Sequence, residues 1–150
     1  MFALMVQTGY GIVPTLAQNE QDAQEIKQVI EKFTESFVYR DLDSLMSQVS
    51  MNYSCATCKE GKDYNTIKLK FQKLMHRVFI TYADYSISEL RLNNLNIQDN
   101  NATVEVAYSW EGFNLDTLKE DGGREKKDVS LTKENGSWKI TKWHAFHLPK

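Results

Sequence analysis

The hydrophobic period of this chain changes near Val78, and that change constrains the fold more than any other feature. Before it, apolar residues recur at spacings of three and four; after it they alternate. From Asn19 to Tyr39, Ile26, Val29, Ile30, Phe33 and Phe37 make one stripe, and Lys27, Glu31, Lys32 and Glu35 cover the other side. Asn19 or Asp22 is placed to cap this helix. Leu45, Met46 and Val49 mark a short second helix, and Met51 to Ser54 a short strand. Asp63 can cap a third helix, whose stripe is Tyr64, Ile67, Phe71, Leu74, Met75 and Val78.

Beyond Val78 the chain reads as strands. Phe79 to Glu89 and Leu90 to Gln98 are extended, and Asp99-Asn100-Asn101 is a turn. Ala102, Val104, Val106, Tyr108 and Trp110 alternate with Thr103, Glu105, Ala107, Ser109 and Glu111, the clearest half-buried strand. Gly112 to Arg124 reads as a long charged hairpin end with Gly122-Gly123 at its tip. Lys126 to Lys133 is a strand, Glu134-Asn135-Gly136 a turn, and Ser137 to His147 the last strand. Helices first and strands later imply an α+β fold. Three N-terminal helices would pack in a strongly bent antiparallel sheet, forming a cone with a pocket.

Composition sets limits on partners. A net charge of -2, with lysines and acids interspersed, lacks the one-sided basic excess of a nucleic-acid binder. The first charged residue is Glu20, and residues 1–17 end in Pro14-Thr15-Leu16-Ala17. That segment resembles the later part of a secretory signal, without its basic start, and is too short and interrupted for stable membrane insertion. The expectation is an exported protein, periplasmic or extracellular, with its mature start near Gln18. A tail on a cytoplasmic protein is the alternative. A single domain then covers residues 20–148, long enough to bury roughly 70% of its unfolded surface.

The ending Gly136-Ser137-Trp138-Lys139-Ile140-Thr141-Lys142-Trp143-His144, taken with the element order, resembles the nuclear transport factor 2-like superfamily and its SnoaL-like bacterial branch. The resemblance covers about residues 20 to 148. It departs at Phe146, where such proteins often carry a small hydroxyl residue. What it implies is a cone-shaped pocket for a small, largely apolar or aromatic molecule, and a homodimer paired through the outer sheet face of Thr103, Glu105, Ala107, Ser109 and Glu111. Isomerases, cyclases and dehydratases resembling this family aim an Asp or His into the cone. No Asp or Glu here matches such a carboxylate.

The pocket lining expected is drawn from Phe33, Phe37, Tyr82, Val106, Tyr108, Trp110, Trp143 and His144. In an enzyme, His144 would be the acid or base and Tyr108 a hydrogen-bond donor. Strict alternation places His144 with Trp138 and Ile140, but also with Lys142. Since a buried unpaired ammonium is costly, Lys142 sits at the mouth, or a β-bulge turns Trp143, Ala145 and His147 inward. His144 and His147, three apart on a strand, point to opposite faces, so no metal is expected. No cofactor is implied. Cys55 and Cys58 have CxxC spacing outside any thioredoxin-like pattern; in an exported chain they could close a small disulfide, and otherwise are inert thiols. Binding without catalysis is the first reading, a small enzyme the second, and a dimeric protein-interaction domain the third.

Overall fold

A computed structural model of the chain describes residues 16–54 and 64–143. The expectations for residues 1–15, for the Cys55–Cys58 pair, for the Asp63 cap and for His144 and His147 lie outside the described residues. Three helices come first: α1 (Leu16–Val38), α2 (Leu42–Met46) and α3 (Tyr64–Thr81). Four strands follow: β1 (Tyr82–Gln98), β2 (Asn101–Asn114), β3 (Lys119–Glu134) and β4 (Ser137–Trp143). They form one antiparallel sheet in the order β1-β2-β3-β4. The helices pack against the inner face of this curled, open sheet, so the α+β cone architecture expected from the sequence is the one observed.

Helix α1 starts at Leu16, earlier than Asn19, so neither Asn19 nor Asp22 caps it. Its stripe is as expected: Ile26, Ile30, Phe33 and Phe37 are all fully buried. Arg40, with φ 61, ends the helix in a left-handed turn, and its guanidinium lies 4.4 Å from the Phe79 ring centre. Asp41 then caps α2 through Oδ1, which accepts from the Ser44 amide at 3.0 Å. The short strand expected at Met51–Ser54 is absent. The pairing lies just before it, where Val49 bridges Ile140 in parallel and Ser50 N donates to Ile140 O at 2.8 Å. The helical period also persists past Val78, to Thr81.

Strand β1 explains how the sheet bends. It is one strand, not two, and its inward residues Tyr85, Ile87, Leu90, Leu92, Leu95 and Ile97 step by two, then three, repeatedly. Each three-residue step is a bulge, with register shifts at Ala83/Ser86, Ser88/Arg91 and Asn93/Asn96. Asp84 (φ 53), Glu89 (φ 53) and Asn94 (φ 55) occupy those bulges in the left-handed region. Each extra residue strengthens local twist and bends the strand while keeping its apolar side on the helices.

The long hairpin with Gly122-Gly123 at its tip is not what forms. The turn lies at residues 115–118, where Asn114 Oδ1 accepts from the amides of Asp116 and Thr117. Gly122 and Gly123 are inside β3, opposite Glu111 and Trp110. Trp110 requires them: a Cβ on Gly123 would lie 3.0 Å from the indole Nε1, and one on Gly122 only 2.8 Å from the Trp110 carbonyl oxygen. The β3–β4 turn is as expected, with Asn135 (φ 50) and Gly136 (φ 81) both left-handed, the backbone of a tight hairpin.

Candidate functional site

The inner face of the sheet is fixed by the β2–β3 register. Ala102 pairs with Leu131, Val104 with Val129, Val106 with Lys127, Tyr108 with Glu125, and Trp110 with Gly123. Directly paired residues share a face, so stepping along β3 from Leu131 and Val129 brings Lys127 and then Glu125 to the same side as Tyr108. Lys127 is only 5% exposed, and its ammonium lies 3.6 Å from Glu125 Oε2. Glu125 itself retains 22% exposure of its side chain. Sequence reasoning stopped at Val129 and missed both, although the same alternation pointed to them.

Of the expected lining residues, Phe33, Phe37, Tyr82, Val106, Tyr108, Trp110 and Trp143 are all buried in one hydrophobic cluster. They form two aromatic groups. In one, the Phe33 ring stacks on Trp143 at 4.6 Å and meets Phe71 edge-on at 5.7 Å, with Tyr53 beyond. In the other, Trp110 stacks on Tyr85 at 6.0 Å and meets Tyr82 edge-on at 5.5 Å, while Phe79 joins Tyr85 to Phe37. Tyr85, outside the expected lining, links the second group to the charged pair. Burial first, and then the nearby Glu125 carboxylate, push its phenol well above the ordinary range. Tyr108 is raised likewise by burial, Tyr85 and Glu125. Both phenols therefore stay neutral in the physiological range and can donate.

The end of β4 settles the Lys142 conflict. A bulge between Ser130 and Leu131 of the β3 register leaves Thr141 unpaired in the ladder. Trp143 turns inward and is 4% exposed, while Lys142 is exposed. Tyr53 holds this end in place: its hydroxyl donates to Trp143 O at 2.7 Å and accepts from Trp143 N at 3.0 Å. Burial raises its phenol to about 12, against the lowering effect of the Trp143 backbone bond. Replacing Tyr53 by Phe removes both bonds and leaves a buried N–H and C=O without that partner. The expected loss is about 2 kcal/mol of stability, read from urea unfolding at unchanged m-value. A loss under about 0.5 kcal/mol would show that the clamp is dispensable.

Asp22 anchors the opposite corner. It lies one helical turn before Ile26, is 4% exposed, and its Oδ1 accepts from Trp138 Nε1 at 3.1 Å and Lys133 Nζ at 3.0 Å. Burial by itself raises this carboxyl, but bonds from Trp138, Lys133 and Gln18 and the Lys133 charge outweigh it, so the net shift is downward. An open groove of about 340 Å³ lies beside this corner, lined by Glu25, Val29, Lys32, Gln48, Trp138 and Lys139 among others. It contains none of the expected pocket residues. Among the described residues, no cluster of three or more His, Cys, Asp or Glu could hold a metal ion, and no helix is long and apolar enough to cross a membrane.

No family model matches this sequence, and no curated protein matches it. Solved structures do. A nuclear transport factor 2-like superfamily protein from Salmonella enterica superposes with a TM-score of 0.65 at 17% identity, over 88% of this chain and 94% of that one. A candidate dehydratase of the same family from Streptomyces avermitilis gives 0.62 at 12% identity, over 87% and 99%. A candidate scytalone dehydratase from Novosphingobium aromaticivorans gives 0.63 at 10% identity, over 87% and 91%. At such identities the likeness speaks to architecture: this chain has the nuclear transport factor 2-like fold.

Proposed function

We propose that this protein binds a small, largely apolar or aromatic molecule on the concave face of its sheet, between β2, β3 and the helices. One observation carries the reading: polar groups converge within an aromatic wall. Tyr108, Glu125 and Lys127 occupy adjacent inner positions of β2 and β3, flanked by the stacked Tyr85–Trp110 pair. A few polar groups set in an apolar lining is the ordinary makeup of a small-molecule site. A core built for stability alone gains little from burying an ammonium there, because desolvation offsets the ion-pair attraction.

The same pair supports a second reading, a proton-transfer enzyme. Such enzymes set two titratable groups against each other. The sequence offered only His144 with Tyr108, whereas Glu125 and Lys127 add a carboxylate and an ammonium beside Tyr108. Two solved structures of this fold are named as candidate dehydratases, which is consistent with acid–base work in the concavity. Binding is preferred because it requires no more than the groups already in place.

Titration with the neutral aromatic probe 2-naphthamide, followed by the indole N–H signals of Trp110 and Trp143 in NMR spectra, tests the binding reading. Saturable 1:1 shifts at Trp110, with a dissociation constant at or below about 1 mM (roughly -4 kcal/mol of binding free energy), are expected. The absence of saturable shifts with this probe and with its carboxylate counterpart would reject the pocket.

A further inference from the structure

The groove of about 340 Å³ beside the Asp22 corner runs between α1 and the β3–β4 turn. Its volume falls at the lower end of the range for small-molecule sites. One wall is a single face of α1, where Glu25, Gln28, Val29 and Lys32 stand at positions i, i+3, i+4 and i+7. That face begins with a carboxylate and ends with an ammonium. At 1.5 Å per residue, seven residues set the two about 10 Å apart along the helix axis. The opposite wall is made by Gln48 together with Gly136, Ser137, Trp138 and Lys139.

Bonds within the protein hold both walls in place. Trp138 Nε1, on Asp22 Oδ1 at 3.1 Å, ties the second wall to α1. Ile140 N donates to Gln48 O at 2.8 Å, and Lys139 Nζ to Ser47 O at 2.6 Å, which fixes Gln48 beside β4. Gln48 is 9% exposed, and its Nε2 donates to Ser47 Oγ at 2.8 Å. Glu25 accepts from Gln21 Nε2 at 3.0 Å, on the side away from Lys32. Lys32 is exposed and, among the described residues, in no ion pair. Gly136 offers backbone without a side chain, with open space where a Cβ would stand.

We propose that this groove is a second binding site, for a short peptide with both ends free, its ammonium at Glu25 and its carboxylate at Lys32. About three residues of extended chain span roughly 10 Å, which matches the spacing of the two charges. The peptide groups of such a ligand meet Gln28 and Gln48, whose carboxamides both donate and accept. Its small side chains lie toward Val29 and Trp138. A diamine or a dicarboxylate of the same length would meet a like charge at one end and be disfavoured. A single amino acid is too short to reach both ends.

Titration of the full chain with trialanine, N-acetyl-trialanine and trialanine amide tests the assignment, followed by the Gly136 and Ser137 amides and the Trp138 indole N–H in NMR spectra. Free trialanine is expected to give saturable shifts at these signals, and none at Trp110, with a dissociation constant of about 1 mM or tighter. Either cap should weaken binding about three- to fivefold, the scale of one solvent-exposed ion pair. Glu25→Gln should erase the effect of acetylation and keep that of amidation, and Lys32→Met should do the reverse. Unchanged urea midpoints show that both variants keep the fold. Binding indifferent to both caps would overturn the assignment of a peptide with two charged ends. Cap effects that survive both substitutions would overturn the roles of Glu25 and Lys32. Shifts at Trp110 alone, or no saturable shifts at all, would overturn the site.

Discussion

Replacing Trp138 by Ala is expected to cost about 4 kcal/mol of stability, among the largest losses any single substitution in this chain would bring. Trp138 is 2% exposed and sits at the start of β4, where its indole fills the space beneath α1. Truncating a fully buried aromatic leaves a cavity that its neighbours only partly close, which typically costs about 3–5 kcal/mol. The indole N–H also donates to Asp22, so Ala removes one of the bonds that hold this buried carboxylate. Trp138→Phe separates the two effects: it keeps most of the volume, loses the bond, and should cost about 1–2 kcal/mol. The pH dependence has a definite sign. Asp22 is lowered from 3.8 on folding, so its contribution is present above that value and fades as pH falls through its lowered one. The gap between wild type and Trp138→Phe should therefore be widest near neutral pH and narrow below about pH 3.8. Urea midpoints measured from pH 7 down to pH 2.5 check this. A gap that stays constant would show that the Asp22–Trp138 bond contributes nothing to linkage.

Phe33→Ala should be comparably severe, at about 3–5 kcal/mol. Phe33 is fully buried, stacked on Trp143 and edge-on to Phe71, so it joins α1, α3 and the end of β4. Because Tyr53 grips the backbone of the same Trp143, the two sites share a partner. Their effects should not add: the double variant Phe33→Ala, Tyr53→Phe should fall short of the sum by about 1 kcal/mol. Exact additivity would mean that Trp143 is held independently by each. A loss under about 1.5 kcal/mol for Phe33→Ala alone would mean that the region collapses to fill the space.

The helices were legible because their stripes are long and clean, and the strands because β2 alternates over Ala102 to Trp110, broken only at the buried Ala107. Departures came where tertiary contact overrode local pattern. Gly122-Gly123 has the look of a turn, yet it serves as clearance for the Trp110 carbonyl and indole across the sheet, a need that local sequence does not display. The two halves of β1 read as separate strands because a two-residue period fails at each bulge. The steps of two and three, read together, would have revealed one bent strand. Asp22, like Asn19, has the residue type of a cap, but its place four residues before Ile26 puts it on the buried stripe. The inward facing of the β2 aromatics follows from alternation, while that of Glu125 and Lys127 goes against the rule that charged residues on strands are usually solvated. His144, expected as the acid or base of an enzyme, lies outside the described residues.

The bulges of β1 also bear on what this sheet can join. Its β4 margin is occupied, with Ser50 and Ser54 amides donating to Ile140 and Thr141. Strand β1 forms the other margin, and it is long enough to template an incoming strand. A foreign strand needs an unbroken row of amide and carbonyl groups at matched spacing. Asp84, Glu89 and Asn94 interrupt that row at five-residue intervals, and an intruder in register on one side of a bulge is out of register on the other. The residues that curve the sheet around its helices thus guard its open border as well, and discourage the strand-by-strand accretion that begins many aggregates.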